Sequence, residues 1–201
     1  MKDQSVEQSA TAKRPPIVGE NVYLLLGTHC KGLVKALSSL PVEKECIDFD
    51  IDLTIFHHAH VNGIYVMIED IQDLLTMNWL DVSIIQVFMM FLNKFCKQHG
   101  VTSIGFACPT QISADMINLN SNAVTSYLIH VMDEHKDQQF ILAPYHQSHF
   151  DLFLHEALER FIGKNAEYEV KVKVFEDAPY SINEIDEVRE LWAHYFSKEC
   201  V

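Results

Sequence analysis

Basic residues are scarce. Fifteen Lys and Arg stand against 28 Asp and Glu, a formal charge of −13, and no basic cluster is available to neutralise a phosphate backbone, so nucleic acid is not an expected partner. The N-terminus, MKDQSVEQSATAKRPP, has no apolar signal core, and no apolar run reaches the length needed to span a bilayer. The expectation is an intracellular protein of the nucleus or cytoplasm with no membrane partner. Cys-x-x-Cys is missing, and the five cysteines, Cys30, Cys46, Cys96, Cys108 and Cys200, are an odd number without a regular framework. Reduced thiols follow from that pattern. There is no internal repeat, no cofactor is expected, and nothing sets the oligomeric state.

What is present is a chain of 201 residues, 48% of them apolar and 21% charged, enough for one domain with appendages. Met1 to Pro16 is polar and Ser-rich and reads as a disordered arm, which puts the domain boundaries at 1–18 for the arm and 19–201 for the fold. Val22 to Leu26 reads as a short strand, Cys30 to Leu40 as a helix stopped by Pro41, and Asp48 to Thr54 as a strand with one wet face. Ile64 to Ile68 is a further strand and Glu69 to Leu75 a short acidic helix. Asp81 is placed to cap a helix from Val82 to Cys96 that ends at Gly100. Apolar residues cover nearly every face of that helix, as in a central buried one. Ile112 to Val131 is helical, with an Asn-rich middle that can divide it. Leu152 to Ile162 is an amphipathic helix stopped by Gly163, and Tyr168 to Phe175 alternates like an edge strand. A capping box, Ser181 with Glu184, opens a last helix carrying Ile185, Val188, Trp192 and Tyr195 on one face.

Two groups of histidines invite a functional reading. Phe140 to Ala143 reads as a buried strand that must leave its sheet at Pro144, which delivers His146 and His149 beyond the strand end. An imidazole there titrates near neutrality on a fixed backbone, as a general base requires. The competing reading is a pair of packed, half-buried histidines. His57, His58 and His60 suggest a metal, but no Cys or Asp partner stands at a recognised zinc spacing, so a solvated loop and no metal is the expectation.

Trp79-Leu80-Asp81-Val82-Ser83-Ile84-Ile85 resembles the Trp-Leu-Asn-Asp-x-x-Ile signature of the Ulp1-like cysteine proteases, which remove ubiquitin-like modifiers such as SUMO from their targets. Gly105-Phe106-Ala107-Cys108-Pro109 and the stretch Glu184 to Ala193 look like the plant and transposon-associated members. Leu142-Ala143-Pro144-Tyr145-His146-Gln147 is similar to the strand before their active site, and His149-Phe150 to their His-aromatic pair, with Phe150 in place of the usual Trp. The resemblance runs from Leu74 to Trp192 with a gap. It implies an α+β, papain-like fold with a central helix against a mixed sheet. It also implies a ubiquitin-like modifier as partner, His149 as general base with His146 as the weaker alternative, and a channel for the modifier's tail bordered by Trp79, Leu80 and Phe150.

The family mechanism also needs a carboxylate to orient the imidazole, a Gln for the oxyanion, and a Cys at a helix N-terminus. After Phe150 there is no strand leading to an Asp, no Gln and no Cys-Gly. Asp151-Leu152-Phe153 stands where Asp-Cys-Gly is common, as an internal deletion near 150–152 would leave it. Cys108 precedes the histidine and reads as a structural thiol, and Cys200 lies one residue from the end of the sequence. The expectation is a peptidase by ancestry that is catalytically defective. The alternative is a remnant that binds a modifier or another protein without cleaving it.

Overall fold

A computed structural model describes residues 14–52, 55–56, 63–145, 150–167, 171 and 181–200, with the side chains of 150–153 and 200 left aside. The elements run α1 (Glu20–Leu25), α2 (Thr28–Ser38), β1 (Cys46–Phe49), β2 (Ile64–Met67), α3 (Ile68–Thr76), α4 (Val82–Gln98) and β3 (Ile104–Phe106). A 3-10 turn (Pro109–Ile112) then leads to α5 (Ala114–Glu134), β4 (Phe140–Leu142), α6 (Phe150–Lys164) and α7 (Ile182–Cys200). The class is α+β.

The organising element is α7. Its capping box forms: the Ser181 N–H donates to the Glu184 carboxylate at 2.8 Å, and the Glu184 N–H donates to Ser181 Oγ at 3.3 Å. Helix α7 packs along α2 and also touches α4 and β1. Of the face expected from Ile185, Val188, Trp192 and Tyr195, Trp192 and Tyr195 are buried and Ile185 is half-buried. Val188 is exposed, and the core is reached by Arg189, Trp192, Ala193, Tyr195 and Phe196. A single apolar stripe cannot describe a helix that meets several neighbours, so the face that meets α2 and the face that meets α4 add together. Trp192 stacks on Phe196 with ring centroids 4.5 Å apart, and its indole N–H donates to the Ile84 carbonyl of α4 at 3.2 Å.

Several local expectations hold because local chemistry decides them. Asp81 caps α4 by accepting from the Ser83 N–H at 2.8 Å, and Gly100 takes φ 68° just beyond the helix end. Asn120, in the Asn-rich middle of α5, has φ −158° and ψ 82° and breaks the helix there; its side-chain oxygen accepts from the Ala123 N–H at 3.1 Å and starts the second half.

Others are corrected. The run Val22 to Leu26 lies in helix α1 and the turn after it, with the Leu26 N–H bonded to the Val22 carbonyl at 3.2 Å. Five apolar residues carry no periodicity, so packing decides: Val22 and Tyr23 lean on the core and Leu24 and Leu25 face solvent. Residues 14–18 belong to the fold and not to the arm. The Arg14 guanidinium donates to the carbonyls of Pro41, Val42 and Lys44, and Ile17 and Val18 are buried. Helix α6 runs through Gly163 to Lys164. Helix α4 is buried over its first half, while Phe95 near its end is exposed, so it is not buried on all faces.

In place of one mixed sheet, the described strands form two separate pairs. β1 and β2 are antiparallel, Ile47 opposite Val66, and β3 and β4 are parallel, Gly105 opposite Ile141. β4 is not a buried strand: Phe140, Ile141 and Leu142 are all exposed, Phe140 to 61%. Residues 1–13, the end of the expected 48–54 strand at 53–54, and the expected Tyr168–Phe175 strand apart from residue 171 lie outside the described residues.

Candidate functional site

The Trp79-Leu80 corner is built by the way α3 ends. Met77 takes the left-handed conformation, φ 59° and ψ 37°, and the Asn78 N–H donates back to the Asp73 carbonyl at 2.9 Å, closing α3 abruptly. Asp81 then starts α4 only four residues later. Trp79 lies in the short link between these two stops. The indole is 78% exposed and Leu80 56%, with Met77 and Val82 exposed beside them in sequence. A tryptophan this open beside further apolar side chains is an exposed apolar corner of the kind that protein contacts use.

The corner is acidic as well. The Asp70 carboxylate accepts from the Met67 N–H at 3.1 Å and lies 3.5 Å from Ser83 Oγ at the start of α4. Desolvation pushes the Asp70 carboxyl above the usual range, Asp81 adds to the rise, and the Met67 hydrogen bond partly offsets it.

A chain of contacts ties the second turn of α4 to the strand end that precedes the histidines. Gln86 Nε2 donates to Cys108 Sγ at 3.5 Å. Cys108 sits just after β3, its thiol 3.1 Å from Thr110 Oγ1 and its backbone N–H bonded to the buried Tyr127 hydroxyl at 2.7 Å. One residue earlier, the Ala107 N–H donates to the Leu142 carbonyl at 2.8 Å, extending the β3–β4 pairing to its last residue. Ala143, Pro144 and Tyr145 carry the chain on from there. His146 and His149 lie outside the described residues, as does the side chain of Phe150, and so do His57, His58 and His60. Of the sequence-derived site residues, the structure therefore describes Trp79 and Leu80.

A histidine base needs a thiol to activate. Cys108 is fully buried and hydrogen-bonded, the state of a structural thiol. Cys46 and Cys96 are half-buried, on β1 and in the last turns of α4. Cys30 is a constellation that sequence reasoning missed. It lies in the first turn of α2, where a helix dipole favours a thiolate, and His29 beside it meets His194 of α7 with ring centroids 4.4 Å apart. The sequence separation of 165 residues between these histidines hid the pairing; the only local hint was Gly27 before the helix.

The chemistry at Cys30 nevertheless runs the other way. Glu190 occupies the helix N-terminus, accepting from the N–H groups of His29 at 2.9 Å and Cys30 at 3.0 Å. Burial first, and the adjacent carboxylate second, push the Cys30 thiol up to about 12. It is 1% exposed and stays protonated. Partial burial works to raise the Glu190 carboxyl, but the hydrogen bonds from Cys30 and His29 outweigh it and hold that group below its ordinary range. Gly27 permits the approach: a Cβ there would lie 2.3 Å from the Glu190 carboxyl carbon. The arrangement is a helix cap and not a nucleophile.

Among the described residues no group of three or more His, Cys, Asp or Glu is placed to hold a metal ion, and no helix is long and apolar enough to cross a membrane. Comparison of the chain with protein-family models, with curated proteins and with solved structures found no match.

Proposed function

We propose that this chain is an Ulp1-like, papain-type cysteine peptidase domain by ancestry that binds a ubiquitin-like modifier, or a protein carrying one, through the Trp79-Leu80 corner without cleaving it. The observation that carries the reading is the exposure of Trp79 on a turn held rigid at both ends. Rigid aromatic anchors of this kind supply much of the affinity of a protein interface at little entropic cost. Support for the loss of cleavage comes from the thiols. Cys30 and Cys108 are enclosed, Cys30 is held protonated, and the sequence after Phe150 has neither a Cys-Gly nor a Gln. The setting that goes with this reading is the nucleus or cytoplasm.

Purified chain is incubated with ubiquitin-like modifiers carrying a C-terminal electrophile and weighed by intact-mass spectrometry, while the free modifiers are titrated with Trp fluorescence as readout. Trp192 is buried and Trp79 is exposed, so a modifier seated at the corner shields one indole from iodide quenching. The expected result is no covalent adduct, with binding weakened about tenfold or more in Trp79→Ala, read from the anisotropy of a fluorescein-labelled modifier because that variant lacks the reporting indole. An adduct that disappears in His149→Ala would show a working thiol and an active protease. Absence of both adduct and shielding would remove the modifier reading altogether.

A further inference from the structure

The cleft between the start of α2 and the middle of α7, about 520 Å³ in volume, is a second surface distinct from the Trp79 corner. Its apolar wall is Leu25 and Leu191, 85% and 50% exposed, and Leu24 and Val188 continue this apolar character in sequence and along α7. The polar wall is Asp186, Glu187 and Glu190, three carboxylates against the guanidinium of Arg189 and the imidazoles of His29 and His194. That guanidinium is spent, donating to Asp186 and to the Leu75 carbonyl. Glu190 faces the N–H groups of α2. Glu187, by contrast, is exposed with no cation against it among the described residues. The walls are held in place beforehand, because the Glu190 cap ties α2 to α7, and a preformed cleft binds without an ordering cost.

We propose that this cleft docks a basic amphipathic segment of a partner protein. Its apolar side chains lie on Leu25 and Leu191, and a Lys or Arg reaches Glu187. A lysine suits both walls at once, since its methylene stem packs on leucine while its ammonium meets the carboxylate. The sign of the charge excludes nucleic acid and an anionic lipid surface as occupants. It also disfavours a second copy of this chain, which would bring another net charge of −13 to the same interface.

The probe is a fluorescein-labelled helical peptide of about 14 residues, long enough to hold a helix, with Leu at i, i+3, i+4 spacing and Lys elsewhere. A companion peptide carries Glu in place of Lys. Anisotropy titrations of the full chain at low and physiological salt are expected to show binding of the Lys peptide alone, weakened about tenfold by Glu187→Lys and by Leu191→Asp, a loss of about 1.4 kcal/mol each. Glu159→Lys, the same charge change on α6, is expected to leave binding unaltered. Both cleft positions are exposed, and urea midpoints verify folding; if Leu191→Asp melts early, Leu191→Ala replaces it with an expected loss of about threefold. Equal weakening by Glu159→Lys would reduce the effect to a generally acidic surface and overturn the proposal. So would indifference to Leu191, or sedimentation showing a dimer of this chain that Leu191→Asp dissolves.

Discussion

Glu190 illustrates how one side chain can decide the chemistry of several others. Its carboxylate satisfies two of the N–H groups that every helix start leaves unpaired, and it complements the positive end of the α2 dipole. In doing so it adds to burial, the larger cause, in keeping the Cys30 thiol protonated, and it sits against the extended entry at Gly27, whose missing Cβ makes the room. A carboxyl held below its ordinary range contributes stability that is present above its unfolded pKa, about 4.3, and is lost as pH falls through the lower folded value. Glu190→Gln cannot titrate. The stability gap between the parent and this variant, from urea melts, is therefore expected to be widest near pH 7 and to close as the pH drops below about 4. A gap that stays constant across that range would mean that Glu190 acts by shape and not by charge.

At the scale of elements, α7 ties α2, α3, α4 and β1 together. Trp192 reaches the Ile84 carbonyl of α4, Phe196 meets Phe49 of β1 at 4.9 Å between ring centroids, and Lys94 of α4 pairs with Glu199 at 2.6 Å. The last of these is a surface pair and adds little. The buried aromatic contacts dominate. Trp192→Ala is expected to cost about 3–5 kcal/mol, which brings a domain of ordinary stability, about 5–15 kcal/mol, to the edge of unfolding. Trp192→Phe keeps most of the volume and loses the hydrogen bond, for a smaller loss of about 1 kcal/mol from that bond. Urea midpoints that fall equally in both variants would show that the indole N–H, and not the filled volume, anchors α7.

At the scale of the whole molecule, the described strands are too few to close a core by themselves, and helices carry it. The parallel β3–β4 pair leaves Phe140, Ile141 and Leu142 open to solvent. Three consecutive apolar residues on a strand paired on one side only among the described residues, with no charge among them, are an invitation to edge-to-edge association. Phe140→Lys is expected to raise the concentration at which light scattering begins, while shifting the folding free energy by no more than about 0.5 kcal/mol, since the position is 61% exposed. A marked fall in stability would show that Phe140 is covered in the folded protein in solution.

By itself the sequence determined the features that depend on neighbours a few residues away. The caps at Asp81 and Ser181, the stop at Gly100 and the break in α5 at Asn120 all rest on one side chain or one φ angle meeting its own backbone. Tertiary structure alone decided the rest. Whether Val22 to Leu26 is strand or helix, which face of α7 is buried, and whether Phe140 to Leu142 is covered all depend on what lies across from them, and no period of apolar residues encodes that. The Gly27, Cys30 and Glu190 cluster shows the reason most directly. Cys30 and Glu190 are 160 residues apart and meet only once α7 has folded back on α2, so burial and a single carboxylate, neither visible in the local sequence, decide that Cys30 is a protected thiol.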